Sequence, residues 1–549
     1  MKYILTAFMF ASLLGASAQR VIYTNAKVYT GDVAKPWVEA FVTEGDRLVM
    51  TGSRTEAMKW KDSNTALVDL NQKLVLPGFI DNHTHFMIGG NYLLGVDLHP
   101  AKSVAEFRSI LKSYTGAHPG EWVTGGNWDH EGWDIKKLPV RQQLDDVTGT
   151  SPVFVQRMEG HMAIANSIAL RLAGINRDTP SPEGGVIVKD PLTGEPTGLL
   201  KDNAMDLVYR VIPPASDLEN DRAARRALKE AARLGVTTVH DITGIEDLKT
   251  YQRLEKNGEL TCRIYTRLPI SSYLSLVNSG IQFGFGSDKL KVGSLKAFAD
   301  GALGSSTALF YDSYVHEPET KGLPMDILSN GNLRRWAIDA DKNKLQLSIH
   351  AIGDSANSEV LKIFEEIVKV NPAWDRRFRI EHAQHVRPDA LKRYKALGVI
   401  ASVQPYHAID DGVWAETRIG NRVRYTYAFK SFMNAGITTT FGSDWTVAPL
   451  NPLLGIYAAC TRQTLDGKNK SGWQPQEKVS VEEAVRAYTI NNAFAAFEEK
   501  EKGSLEPGKF ADFVVLSENI FTIEPEQIKQ VKVLKTVLGG KVIFDALKQ

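Results

Sequence analysis

The middle of this chain, from about residue 76 to 445, is built of eight short β-forming runs, most of which end on a polar, chemistry-bearing side chain. They end at Phe79-Ile80-Asp81, Thr237-Thr238-Val239-His240, Arg263-Ile264-Tyr265, Lys296-Ala297-Phe298, Leu347-Ser348-Ile349-His350, Arg379-Ile380-Glu381-His382, Ala401-Ser402-Val403-Gln404 and Thr440-Phe441-Gly442-Ser443-Asp444. Between most of them lie amphipathic stretches of helical period, clearest at Ala223 to Leu234 and Ala356 to Val368. Eight strands joined by helices predict an α/β fold of the (β/α)8 TIM-barrel type. In such a barrel the C-terminal strand ends gather at one mouth, where active sites lie. The gap between the first and second runs is too long for one helix. It predicts an inserted subdomain at about 100–230, with strand-like pieces at Trp122-Val123-Thr124 and Pro152-Val153-Phe154-Val155.

Both ends read as short strands. Val21 to Tyr29, Trp37 to Val42 and Arg47 to Met50 are matched near the C-terminus by Ala511 to Leu516 and by a hairpin over Val531 to Phe544. This predicts one small β-sandwich domain from segments 19–76 and 500–549, around a barrel at 77–499. Lys2, the apolar stretch Tyr3 to Leu14 and the small residues Ala16-Ser17-Ala18 read as a signal peptide over residues 1–18. The expectation is an exported chain, periplasmic or secreted. No later segment has the apolar length of a membrane span. Formal net charge is +1, which gives no basic field to hold nucleic acid. With only Cys262 and Cys460, a thiolate metal cluster is excluded. Any metal must be held by His, carboxylate or modified Lys.

The sharpest motif is Asp81-Asn82-His83-Thr84-His85. Positions two apart on a strand share a face, so His83 and His85 project together. Converging neutral imidazoles suit zinc and similar divalent cations. His-x-His alone is a weak signal. It gains weight because His350, His382 and Asp444 close other strands and would reach the same mouth. Lys296 lies in an otherwise apolar strand, where a buried ammonium is costly unless paired or neutralised. It is placed at the strand edge, paired with Asp300, or carbamylated by CO2.

This set of residues resembles the amidohydrolase superfamily, and within it the amidohydrolase-3 branch that includes N-substituted formamide deformylase-like proteins. The likeness runs from Leu76-Pro77-Gly78-Phe79-Ile80-Asp81-Asn82-His83-Thr84-His85 to Gly503-Ser504-Leu505-Glu506-Pro507-Gly508-Lys509-Phe510-Ala511-Asp512. It takes in Gly125-Gly126-Asn127-Trp128-Asp129, Glu159-Gly160-His161, Phe298-Ala299-Asp300-Gly301, His350-Ala351-Ile352-Gly353-Asp354 and Gly442-Ser443-Asp444. The resemblance implies that His83 and His85 are first-strand ligands and that Lys296, as a carbamate, bridges two metals. It implies that His350 and His382 ligate the second metal, with Asp444 both ligand and general base. With Lys296 unmodified, one metal would be held through His83, His85, His350 or His382, and Asp444.

The expected reaction is hydrolysis of an amide-like, non-peptide C–N bond in a small molecule by metal-activated water. His161 is a candidate for the carbonyl or oxyanion. Trp128, His240, Asp300 and Gln404 are candidates for binding substrate. Trp133, Tyr406, Trp414 and Trp445 fit an apolar or aromatic substrate, and Arg418, Arg422 and Arg424 read as surface charge. The cofactor expected is one or two divalent metals, zinc foremost, with CO2 as lysine carbamate in the binuclear case. The expected partner is the small-molecule substrate, with neither nucleic acid nor a membrane span, and homo-oligomerisation is compatible with the sequence. The same barrel would serve for esters, lactones or deamination, and a non-catalytic exported binding protein is the reading from another class.

Overall fold

A computed structural model describes residues 19–130, 133–157, 162–182 and 185–548. The signal-peptide reading at 1–18 and the reading of His161 fall outside these residues. The barrel strands, in chain order, are β1 (Phe79–Thr84), β2 (Val236–Ile242), β3 (Arg263–Pro269), β4 (Leu290–Phe298), β5 (Gln346–Ala351), β6 (Arg379–His382), β7 (Ile400–Val403) and β8 (Thr439–Phe441). All eight pair in parallel with their sequence neighbours. Along β1, β5, β6, β7 and β8 every residue is buried. That is the pattern of a parallel sheet covered by helices on one side and filled by side chains on the other. Leu347 and Ile349 of β5 are fully buried, each worth about 1.5–3 kcal/mol.

The helices supply the outer layer. In Asp354–Val370 the buried residues Ala356, Val360, Leu361, Ile363, Phe364 and Ile367 form one stripe, and Phe364 stacks on Phe378 at 4.1 Å. The ring closes at the mouth. Asp444 N donates to His83 O at 2.7 Å, and His85 N to Trp445 O at 2.8 Å. Lower down, Asn492 Nδ2 spans the two edges, donating to Phe441 O at 2.8 Å and to Ile80 O at 2.5 Å.

Between β1 and β2 lies a separate six-stranded sheet. Its order is Gly185–Lys189, Pro196–Asp202, Met162–Ala165, Phe154–Arg157, Gly125–Trp128, Val96–Asp97. The chain ends meet in another sheet, where Phe513–Leu516 runs antiparallel to Leu74–Pro77. Arg20–Thr24, Ala40–Glu44, Arg47–Gly52 and Ala66–Asp69 form a four-stranded sheet beside it. Tyr23 and Phe41 from this sheet stack at 4.7 Å, and both meet Phe513 edge-on from the other.

Candidate metal centre

Strand β1 carries one residue more than β2 over the same span, since Val239 pairs with Asp81 and Asp241 with Thr84. This bulge re-aims the strand end. His83 and His85 both reach the mouth, their Nε2 atoms 3.4 and 3.3 Å from Asp444 Oδ1. His382 and Asp444 sit at left-handed backbone, φ 70° and 58°. In His382 this overrides strand alternation, which would turn its side chain outward with Ile380. Its ring lies instead 4.9 Å from His83 and 4.4 Å from His350. Non-glycine residues in this conformation cluster at functional sites because the surroundings must hold them there.

One ligand atom from each of His83, His382 and Asp444 lies within 4.8 Å of the others. His382 Nδ1 and Asp444 Oδ1 are buried and make no hydrogen bond among the described residues. Such atoms suit a cation. His350 borders the same cavity with Nε2 3.1 Å from Gly301 O, and Lys296 Nζ lies 3.4 Å from His83 Nε2 and 4.6 Å over the Phe298 ring.

Electrostatics keep the imidazoles neutral and so able to ligate. Burial pushes His83, His350 and His382 down, His350 to about 4, and the Lys296 ammonium adds to the effect. Burial, helped by Arg267, brings Lys296 down to about 7.

Beneath this layer is a buried charged layer that sequence reasoning passed over. Glu381 Oε2 lies 2.6 Å from His83 Nδ1, and Arg379 Nε donates to Glu381 Oε1 at 2.9 Å. Arg267 Nη1 lies 2.8 Å from Glu381 Oε2, an ion pair without hydrogen-bond alignment. The visible signal was Arg379 and Glu381, two apart on one barrel strand and therefore on one face of it.

The cavity above the metal ligands has a volume of about 510 Å³. None of the four expected substrate contacts lines it. Trp128 is fully buried in the core of the 96–202 sheet, packed on Phe107 and donating to Val155 O at 3.0 Å. His240 lies below the mouth, its Nδ1 3.0 Å from Arg379 Nη1. Asp300 accepts backbone N–H groups from Leu309, Ile352 and Gly353 at 2.8–3.0 Å and so braces loops, not substrate or Lys296. Gln404 is fully buried, its side-chain nitrogen 3.3 Å from His83 Nδ1. Phe298, Leu303, Gln384, His407, Asp410 and Trp414 line the cavity instead. Of the other expected aromatics, Trp445 packs on Phe86, Trp133 on Phe107, and Tyr406 against the barrel core. Arg422 donates to the carbonyls of Asp312 and Ser313, Arg418 pairs with Glu317, and Arg424 lies over the Tyr425 ring. His407 was missed; its sequence signal was its place three residues beyond Gln404 at the end of β7.

Comparison with known proteins agrees with this geometry. The chain is 37% identical to Protein LONG AFTER FAR-RED 3 of Arabidopsis thaliana, over 95% of this chain and 91% of that one. It is 27% identical to the N-substituted formamide deformylase of Arthrobacter pascens, over 95% and 97%. The solved structure of a metal-dependent hydrolase from Pyrococcus horikoshii OT3 superposes with a TM-score of 0.79 at 29% identity, covering 92% of this chain and 99% of that one. Residues 66–544 match the sequence model of the amidohydrolase family, and the chain belongs to that family.

Proposed function

We propose that this metal-dependent hydrolase cleaves an amide-like, non-peptide C–N bond of a small molecule. The observation that carries the reading is the convergence of His83, His382 and Asp444 within 4.8 Å, with His85, His350 and Lys296 around them. One or two divalent cations, zinc foremost, would be held by His83, His85, His350, His382 and Asp444, with carbamylated Lys296 between two. A bound cation lowers the pKa of water to about 7 and polarises a carbonyl. Asp444 takes a proton from the attacking water and returns it to the departing nitrogen. Glu381 holds His83 in the tautomer that presents Nε2 to the mouth. The 27% identity to a formamide deformylase over nearly the whole chain supports C–N chemistry. Residues 1–18 support export to the periplasm or beyond, and the aromatic core shared by the two terminal sheets supports a small β-sandwich domain from segments 19–76 and 500–549. The separate sheet after β1 supports an inserted subdomain at about 100–230. The test is metal-replete expression, elemental analysis and a panel of N-formyl and N-acyl amines beside matched esters. The expected result is bound metal and amide turnover, both lost in the His83→Ala, His85→Ala double variant with far-ultraviolet circular dichroism unchanged. Ester turnover without amide turnover, or a chain with less than about half a metal, sinks the reading.

A further inference from the structure

The two oxygens of Asp444 look in different directions. Oδ1 faces the Nε2 atoms of His83 and His85 at 3.4 and 3.3 Å, while Oδ2 faces His407 Nε2 at 4.0 Å. His407 sits on the helix Pro405–Asp411 that begins directly after Gln404, and its ring lies nearly parallel to that of His382, at 16° and 6.3 Å. His407 lines the cavity, and its Nε2 is buried with no hydrogen-bond partner among the described residues. A buried, unsatisfied ring nitrogen is costly, and such a group in a native site calls for an explanation. Here its neighbour is the oxygen of Asp444 turned away from the first-strand histidines, the one free to return a proton to a leaving group.

We propose that His407 is a catalytic residue that contacts the leaving nitrogen: its Nε2 accepts the N–H of a secondary amide and turns the nitrogen lone pair toward Asp444 Oδ2. The assignment rests on the C–N hydrolysis proposed above and adds a substrate class, amides that carry an N–H. In the reaction the water oxygen bonds to the carbonyl carbon and the C–N bond breaks with its electron pair going to nitrogen. The water proton passes through Asp444 to that nitrogen. The N–H held by His407 stays on nitrogen throughout, so a primary amine and a carboxylic acid leave. A tertiary amide offers His407 nothing to accept.

The experiment compares N-benzylformamide with N-benzyl-N-methylformamide on the metal-loaded full chain. For His407→Ala, kcat/KM on the secondary formamide should fall about tenfold, the worth of one hydrogen bond, while the tertiary formamide changes less than about twofold. Bound metal should be unchanged, and His407→Gln, whose Oε1 also accepts, should recover part of the loss. Equal losses on the two formamides, or loss of metal in both variants, overturn the assignment. If the metal-loaded wild type turns over no member of the panel of N-formyl and N-acyl amines, the C–N reading has failed and the assignment goes with it; if it takes amides from that panel, the comparison is made on the best secondary amide and its N-methyl counterpart.

Discussion

Glu381 and His83 share a hydrogen bond of 2.6 Å between two side chains that are essentially without solvent contact. With two buried arginines beside it, burial that would raise Glu381 is outweighed by Arg267 and Arg379, and the carboxyl stays well below its ordinary range. A carboxylate that takes Nδ1–H leaves His83 Nε2 as the lone pair facing the mouth, the arrangement in which a second layer orients a metal ligand. Glu381→Gln removes the charge and keeps the shape. The expected effects are a 10–100-fold loss of metal affinity and a stability loss of about 3–5 kcal/mol, because two buried guanidinium groups lose their counter-charge. Metal titration and chemical denaturation of the same variant read both. Wild-type metal affinity in a folded Glu381→Gln chain would show that the pair does not orient the ligand.

How far this site could be read in advance depended on the residue. His83, His85, His350 and Asp444 were legible because they sit at strand ends, and a barrel brings strand ends together whatever the details. His382 was legible in the same way, although strand alternation alone would point it outward and its left-handed φ of 70° is what turns it in. Asp300 carried the same composition signal as a substrate contact, but its oxygens accept the backbone N–H groups of Leu309, nine residues on, and of Ile352 and Gly353 beyond the next strand. No local pattern encodes such pairing. Trp128 failed for a related reason. An aromatic next to a glycine-rich turn reads alike whether it faces a ligand or the core, and here the indole is closed off by Phe107 and Trp133.

Lys296 tests whether the centre holds one metal or two. Its Nζ lies 3.4 Å from His83 Nε2, and burial brings it down to about 7, toward the neutral amine that carbamylation would require. Lys296→Ala should lower bound metal from about two to about one per chain and cut turnover at least about 100-fold, with partial rescue by acetate or formate standing in for the carbamate. Elemental analysis with and without added carboxylate reads the change. Metal content unchanged at about one per chain would point to a mononuclear site, and content unchanged at about two would show that Lys296 does not bridge.

His350 gives the metal-stripped chain a defined acid sensitivity. Its folded pKa is pushed to about 4, first by burial and then by Lys296, from an ordinary value near 6.5. The unfolded chain therefore binds more protons between these values, so stability is lost as pH falls from about 6.5 toward 4, by about 3 kcal/mol in full. Asp300 works oppositely: burial raises it to about 7, the folded chain holds the extra proton, and stability is lost as pH rises through 7. Comparing His350→Asn with the wild type isolates the histidine. Thermal melts of the chelated proteins from pH 4.5 to 7 should show a shallower slope for the variant, and identical slopes would exclude a buried neutral His350.

Gly442 is where the barrel seam meets the site. A Cβ at this position would stand 2.3 Å from Asn82 Oδ1, 2.7 Å from His83 N and 2.8 Å from Asp81 Oδ1. Asn82 cannot yield, because its side chain is bonded to Ser402 Oγ at 3.0 Å and to Thr440. Asp81 cannot either, because its carboxylate accepts from Ser443 N and His83 N at 3.0–3.1 Å. The added methyl must therefore push β8 away from β1, which strains the 2.7 Å bond from Asp444 N to His83 O and displaces Asp444, two residues further along the chain. Gly442→Ala should cost about 1–3 kcal/mol of stability, as over-packing does. It should also lower kcat by more than that loss explains, since a shift of about 1 Å in a reacting group can cost about 100-fold. A folded Gly442→Ala chain with wild-type kcat and metal content would mean that the seam relaxes without moving Asp444.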